Sequence, residues 1–204
     1  MEKDLHQKNI DTYSTEKAVS HYEKLTSIKD AEKILIDKYF NGKILDLGCG
    51  VGRTTKYLAD KGFEVVGVEI VEDMVKRAKK LYPSVKFEVG DACKLNHKTE
   101  EFDVVFFSFN GLDYIYPESK RVVALQEIER VLKRGGYFVY SSHNPLSLFF
   151  KFRPGLLIRS IKEGKLFSKY KPEKNATFGT VYTYFATPKN QKRLVEKNTE
   201  LRLV

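Results

Sequence analysis

Five short apolar runs alternate with segments of helical periodicity between Lys43 and Asn144, and this alternation constrains the fold more than any other feature. Residues 103–109 and 137–142 are apolar at nearly every position, which is typical of parallel strands covered on both faces. The other three runs are residues 43–48, 63–69 and 85–90. The short links between them predict an α/β fold with a doubly wound, mostly parallel sheet and helices on both faces.

The segments between these runs carry the periodicity of amphipathic helices. They cover residues 54–61, 72–82 and 118–134. In the longest segment, apolar residues recur at spacings of three and four and form one stripe. The stripe consists of Val122, Leu125, Ile128, Val131 and Leu132. Gly62 and the pair Gly135-Gly136 follow predicted helix ends, where a left-handed residue is favoured.

The chain length of 204 residues suits one domain with four parts. The predicted parts are an N-terminal helical cap (1–42), a core (43–144), an insertion or lid (145–178) and a C-terminal strand–helix–strand unit (179–204). Residues 16–40 read as one or two helices of the cap. In the last part, residues 179–186 and 200–204 read as strands around a short helix that Thr187 caps.

The charge of the chain is concentrated near its end. The net charge is +9, and residues 145–204, with 13 basic and 4 acidic residues, account for all of it. Cys49 and Cys93 form neither a disulfide framework nor a zinc-ligand pattern, so we expect no metal site and a cytoplasmic location. No apolar run approaches the roughly 18–20 residues of a membrane-spanning helix, and we expect no integral membrane association.

The most informative motif is the glycine-rich stretch 44–55, which follows the first predicted strand and opens a helix. Arg53 stands where a dinucleotide fingerprint has its third glycine, and no Gly-Lys-Ser/Thr follows to make a P-loop. Glu69 lies at the end of the second strand, 19 positions after Gly50. A carboxylate there suits a ribose diol, so the pattern favours a nucleoside cofactor without requiring a pyrophosphate.

Together these motifs resemble the class I S-adenosylmethionine-dependent methyltransferases, which have a Rossmann-like fold. The stretch ILDLGCGVGRTT matches the first motif of that family. Four later stretches match its elements in order, namely residues 65–80, 89–95, 102–115 and 131–144. The chain departs from the family at Val71, which replaces the usual capping hydroxyl. It also lacks the family's final sheet strand after Val204, so we expect that it is truncated.

The resemblance implies S-adenosylmethionine as the cofactor and assigns roles to residues of the first two strands. Gly48 and Gly50 would approach the methionine moiety, and Asp46 would orient their loop. Glu69 would bind the ribose hydroxyls, and Ile70 would pack on the adenine. Turn geometry alone would also explain the glycines, and a solvated strand end would explain Glu69.

Further cofactor contacts follow from the same resemblance. Asp91 would meet the adenine amino group with Ala92 nearby, although an aspartate there also suits a simple turn. Phe109 and Asn110 would line the methionine end. Tyr22 lies in the region where related enzymes place aromatic side chains over the cofactor, and core packing explains it equally well.

His143 and Tyr114 are the candidate catalytic residues, because they follow neighbouring strands where an open α/β sheet has its ligand crevice. The usual pKa of histidine suits a general base near neutrality, although a structural histidine is the competing interpretation. Methyl transfer from a sulfonium needs alignment of a nucleophile more than a catalytic triad. The sequence therefore predicts transfer to an N, O or C nucleophile without identifying the acceptor.

We expect a small-molecule acceptor, with the basic lid favouring an anionic one. The alternatives are an RNA-modifying methyltransferase, a non-catalytic cofactor-binding module and an NAD(P)-dependent oxidoreductase. Residues 151–174 hold 8 basic residues interleaved with Phe152, Phe167 and Tyr170. A solvated lysine-rich face, a lid, an RNA platform and a membrane-surface contact all fit this composition, and RNA is not favoured. The sequence does not indicate an oligomeric state.

Overall fold

The computed structural model describes residues 5–144 and 170–202, and its central feature is a parallel sheet of five strands. The strand order is β3-β2-β1-β4-β5, and every neighbouring pair is parallel. The strands are β1 (Lys43–Leu47), β2 (Glu64–Glu69), β3 (Lys86–Val89), β4 (Phe102–Phe107) and β5 (Leu132–Tyr140). The predicted doubly wound α/β fold is confirmed.

Helices surround this sheet, and three of them precede it. They are α1 (Leu5–Tyr13), α2 (Glu16–Glu23), α3 (Asp30–Tyr39), α4 (Arg53–Asp60), α5 (Glu72–Leu81), α6 (Glu118–Val131) and α7 (Pro188–Asn198). The sequence predicted one or two helices in the N-terminal cap and missed α1. The only buried residue of α1 is Asn9, so this helix has no apolar stripe to reveal it.

Apolar side chains cover both faces of the sheet, as the continuous apolar strands predict. On one face, β1 and β4 pack against α6. This cluster includes Leu45, Leu47, Val105, Leu125 and Ile128. On the other face, alternate residues of the same strands pack against α3 and α4. That cluster includes Ile36, Ile44, Leu58, Val104 and Phe106.

The predicted helix over residues 118–134 is too long. Helix α6 ends at Val131, and Leu132 already pairs with Phe102 as the first residue of β5. Gly135 has the expected positive φ of 78°, but it lies inside β5, where the register with β4 shifts. The apolar periodicity of α6 continues into Leu132, but Leu132 pairs with β4 and therefore belongs to β5. The left-handed Gly62 after α4 agrees with the prediction.

A two-stranded antiparallel hairpin follows the sheet. Its strands are β6 (Tyr170–Asn175) and β7 (Gly179–Tyr184). Most of the predicted insertion or lid, residues 145–169, lies outside the described residues, and residues 170–178 form β6 and its turn. The predicted strand at 200–204 is wrong over residues 200–202, where no strand forms, and residues 203 and 204 lie outside the described part.

The C-terminal helix begins as predicted. The Thr187 hydroxyl accepts a hydrogen bond from the Asn190 backbone N–H at 3.3 Å, and Pro188 occupies the first turn of α7. None of the helices in residues 5–144 and 170–202 has the length and apolar character needed to span a bilayer.

Candidate active site

A cavity opens at the carboxyl ends of β1, β2 and β4, with an empty volume of about 1060 Å³ that includes its mouth. This is where parallel α/β sheets place ligands. Nine of the residues predicted as site residues line it. They are Tyr22, Gly48, Gly50, Glu69, Ile70, Asp91, Ala92, Phe109 and Tyr114. Asp46, Asn110 and His143 lie around the cavity without lining it.

The turn after β1 shapes the floor of the cavity through two left-handed glycines. Gly48 and Gly50 have φ values of +65° and +57°. A Cβ on Gly48 would stand 2.5 Å from the Phe107 ring, so packing alone requires glycine there. A Cβ on Gly50 would meet only the Met74 sulfur, at 3.8 Å. Gly50 therefore leaves the backbone open to a molecule in the cavity.

Glu69 at the end of β2 ties this turn to the next one. Its Oε2 accepts a hydrogen bond from the Gly50 backbone N–H at 3.0 Å, and its Oε1 accepts one from Val71 N–H at 3.0 Å. Burial raises the pKa of this carboxyl, and the backbone N–H groups oppose that rise. Each oxygen keeps a lone pair for a hydroxyl donor in the cavity.

Asp46 supports the turn from behind. It is fully buried, and its Oδ2 accepts hydrogen bonds from the hydroxyls of Thr54 at 2.5 Å and Thr55 at 2.7 Å, both in the first turn of α4. Burial raises the pKa of Asp46 to about 6. Asp46 thus lies behind the loop, and the orienting role that the resemblance implies for it stays a prediction.

Asp91 and Ala92 follow β3 and close the side of the cavity near Ile70. The Asp91 Oδ1 accepts a hydrogen bond from the Cys93 backbone N–H at 2.8 Å. This local bond is the turn-forming role that competes with cofactor contact at this position. The residue performs it while lining the cavity, so the two roles are compatible.

Four aromatic side chains, which we call the aromatic roof, meet above the cavity. Tyr13 comes from α1, Tyr22 from α2, Tyr114 from the short 3-10 helix Gly111–Tyr114, and Phe178 from the β6–β7 turn. The Tyr13 ring centroid lies 5.9, 5.5 and 5.6 Å from those of Tyr22, Tyr114 and Phe178. Burial raises the pKa of all three tyrosines, so they stay neutral phenols.

A left-handed turn after β4 forms the wall opposite Glu69's strand. Phe109 and Asn110 have φ values of +51° and +60°. The Arg53 guanidinium lies 4.4 Å from the Phe109 ring centroid, and Glu32 holds Arg53 through two 2.7 Å hydrogen bonds. The predicted Asn110 points its amide nitrogen toward His143 Nε2, at 3.3 Å.

Several residues that line the cavity were not predicted from the sequence. His6, Asn9 and Ile10 line the cavity from α1, and Arg53 and Met74 line it from α4 and α5. The sequence carried no amphipathic signal for α1. Asp113, the neighbour of Tyr114 in the sequence, was not predicted as a site residue, although its Oδ2 lies 2.9 Å from His143 Nδ1. The one available signal was that both residues follow adjacent strands.

Comparisons with known proteins agree with this architecture. The family model for a methyltransferase domain matches residues 44–136. A putative methyltransferase, YqeM, from Bacillus subtilis is 30% identical over 110 residues, 52% of this chain and 44% of that protein. The 2-methyl-6-phytyl-1,4-hydroquinone methyltransferase of Synechocystis is 40% identical over 105 residues, 50% of this chain and 32% of that protein.

A third relative is a demethylmenaquinone methyltransferase from Staphylococcus aureus, 35% identical over 144 residues, 64% of this chain and 56% of that protein. The chain thus spans from about a third to just over half of the length of these relatives.

Solved structures share the fold. A methyltransferase from Methanosarcina mazei superposes with a TM-score of 0.68 at 22% identity, covering 80% of this chain and 82% of that one. The PH0226 protein from Pyrococcus horikoshii gives 0.63 at 27% identity, covering 91% and 85%. The matched domain and the shared fold agree with the ordered motifs in the sequence. Residues 44–136 therefore match a methyltransferase domain, and the chain has the fold of a solved S-adenosylmethionine-dependent methyltransferase.

Proposed function

We propose that this chain transfers a methyl group from S-adenosylmethionine to a small-molecule acceptor held beneath the aromatic roof. The proposal rests on one observation: the same cavity has a floor whose groups suit a nucleoside and lies beneath the aromatic roof. The floor consists of the open backbone at Gly50 and the carboxylate of Glu69. Three residues of the roof, Tyr13, Tyr22 and Tyr114, line the cavity.

The residues of the floor fit S-adenosylmethionine. Glu69 offers buried carboxylate oxygens that can accept hydrogen bonds from ribose hydroxyls. Gly50 leaves the space that a Cβ would fill. Ile70 supplies an apolar surface beside Asp91, a pair that suits a flat base with an exocyclic amino group.

When bound, S-adenosylmethionine supplies a methyl group that is already activated on a sulfonium. The residues of this chain then need to bind, orient and exclude water. The electron-rich faces of the roof tyrosines favour a neighbouring cation, and their neutral hydroxyls can donate or accept hydrogen bonds. Roof and floor together enclose the space in which an acceptor would be aligned.

The acceptor that this roof suits is partly apolar and aromatic. Flat aromatic rings pack well against tyrosine and phenylalanine side chains. Two relatives are named for methyl transfer to a hydroquinone and to demethylmenaquinone, which supports an acceptor of that general kind. An anionic acceptor stays a prediction, because most of the basic segment on which it rests lies outside the described residues.

A labelled-methyl assay tests the proposal. The full chain is incubated with methyl-labelled S-adenosylmethionine and panels of hydroquinones, catechols and small amines. We expect label in at least one acceptor, and Tyr114→Ala should lower that turnover by about ten-fold through lost alignment. Tyr137→Ala removes a tyrosine of β5 outside the cavity lining and is the matched control. Cofactor binding without methylation of any acceptor would favour the non-catalytic module.

A further inference from the structure

The turn at Phe109 and Asn110 holds a conformation that its residues do not adopt readily. Both have positive φ, at +51° and +60°. Asparagine tolerates the left-handed region, but a bulky residue such as phenylalanine is strained there. Phe109 lines the cavity beside Gly111 and Tyr114. Strain at a ligand-facing position persists only when neighbouring groups hold it in place.

The groups that hold this turn come from the end of β5. The Asn110 backbone N–H donates to the Ser141 hydroxyl at 2.8 Å. The Asn110 side-chain nitrogen lies 3.3 Å from His143 Nε2. An amide nitrogen is only a donor, so this contact is a hydrogen bond when Nε2 carries no proton.

His143 is in turn fixed by Asp113. The Asp113 Oδ2 accepts the His143 backbone N–H at 2.6 Å and lies 2.9 Å from His143 Nδ1. Asp113 is fully buried, and its Oδ1 also accepts from Ser142 Oγ at 3.2 Å and from Gln191 Nε2 at 3.4 Å. A carboxylate at Nδ1 places the imidazole proton there and leaves Nε2 as an acceptor.

Two aromatic rings and one further carboxylate also lie near the imidazole of His143. The rings of Tyr114 and Phe185 lie 6.0 and 5.1 Å from it. Glu173 Oε2 lies 3.7 Å from Nε2, too far for a hydrogen bond. His143 does not line the cavity, and it reaches the ligand space through Asn110 and Phe109 on one side and through the ring of Tyr114 on the other.

We propose that His143 is a positioning residue: held by Asp113, it fixes Asn110 in the left-handed turn that presents Phe109 to the cofactor cavity. The inference rests on the proposed function for the identity of the ligand. It gives His143 a role different from the acceptor contact that its place in the sequence predicted. It also accounts for the buried carboxylate of Asp113, which does not line the cavity.

Calorimetric titration with S-adenosylmethionine tests this linkage through a double-mutant cycle. His143→Phe keeps a ring and removes both nitrogens. Asn110→Ala and Asn110→Gly both remove the amide, but only glycine takes positive φ without strain. We expect His143→Phe to weaken binding about ten-fold in the wild-type background and less than about two-fold in the Asn110→Gly background. Asn110→Ala should bind more weakly than Asn110→Gly.

Equal losses from His143→Phe in both backgrounds would overturn the proposal, as would unchanged affinity in every variant. Tyr137→Phe, which changes an exposed residue of β5 outside the cavity lining, is the control and should keep wild-type affinity. If the wild-type protein does not bind S-adenosylmethionine, the proposed function fails rather than the linkage.

The tautomer of His143 gives a second test, which uses the wild-type protein and does not depend on whether any variant folds. Nitrogen-15 NMR of the wild-type protein at neutral pH should show a protonated Nδ1 and an unprotonated Nε2 at this residue. A protonated Nε2 would remove the acceptor for Asn110 and contradict the proposal, whatever the titrations give.

Discussion

At the scale of single residues, Gly48 and Gly50 share a left-handed backbone for different reasons. Gly48 avoids a collision with the Phe107 ring, whereas Gly50 keeps open a space that faces the cavity. The sequence shows both glycines in one motif and does not distinguish these reasons. Only the position of Phe107, brought in by the pairing of β1 with β4, separates them.

We predict that Gly50→Ala weakens S-adenosylmethionine binding by about ten-fold or more, because the new methyl group enters the cavity from a strained left-handed residue. Gly62→Ala is the matched control, since Gly62 also has positive φ and a Cβ there would meet nothing within 4 Å. Titration calorimetry and thermal unfolding of both variants separate the effects. Equal affinities in the two variants would show that Gly50 does not face the ligand.

Asp46 makes a prediction about pH. Its folded pKa of about 6 lies above the ordinary 3.8, so the folded state binds more protons between these values. Its contribution to the free energy of unfolding is therefore present below pH 3.8 and is lost as the pH rises through 6. Asp46→Asn should gain stability relative to wild type by about 2 kcal/mol from pH 4 to pH 7.

Denaturant unfolding of both proteins across this pH range measures the difference. Taking the difference removes the opposite contributions of Glu101, Asp103 and Glu127, whose pKa values are lowered by their partners. A difference that does not change with pH would contradict the buried, protonatable state of Asp46.

At the scale of elements, α1 is attached to the fold by a polar side chain. The Asn9 amide donates to the carbonyls of Tyr182 at 2.8 Å and Tyr114 at 3.0 Å, and its oxygen accepts the Tyr182 N–H at 2.7 Å. Asn9 thus satisfies the outer edge of β7 as a paired strand would. Because α1 is attached in this way, its residue Tyr13 lies over the cavity.

We predict that Asn9→Ala lowers the free energy of unfolding by roughly 2–4 kcal/mol, because it leaves buried backbone groups without partners. Gln7→Ala, on the same helix but exposed, should change it by less than about 0.5 kcal/mol. Denaturant unfolding gives both values, and hydrogen exchange should show faster exchange in α1 and β7 of Asn9→Ala only. Equal stability of the two variants would refute this attachment.

Sequence patterns located the elements whose signals are local. The apolar runs identified β1 to β5, and Thr187-Pro188 marked the start of α7. Helix α1 was missed because its one buried side chain, Asn9, is polar and bonds to residues more than 100 positions away in sequence. The end of α6 was misplaced because the pairing of Leu132 with Phe102 overrides helical periodicity.

At the scale of the whole molecule, the difference between local and long-range signals also separates the floor of the cavity from its roof. Gly50 and Glu69 were predicted because their spacing along the chain favours a nucleoside site, and both line the cavity. The roof was predicted only in part. Tyr13, Tyr114 and Phe178 come from three distant segments, and their meeting depends on how α1 and the hairpin pack together. No local spacing encodes that arrangement.

Calorimetric titration of the wild-type chain and Glu69→Ala with S-adenosylmethionine and with NAD tests the central claim most directly. Glu72→Ala, an exposed carboxylate three residues away on α5, is the control. We predict that wild type and Glu72→Ala bind S-adenosylmethionine equally, that Glu69→Ala loses about ten-fold or more in affinity, and that NAD does not bind. Binding of NAD but not S-adenosylmethionine, or unchanged affinity in Glu69→Ala, would contradict the account.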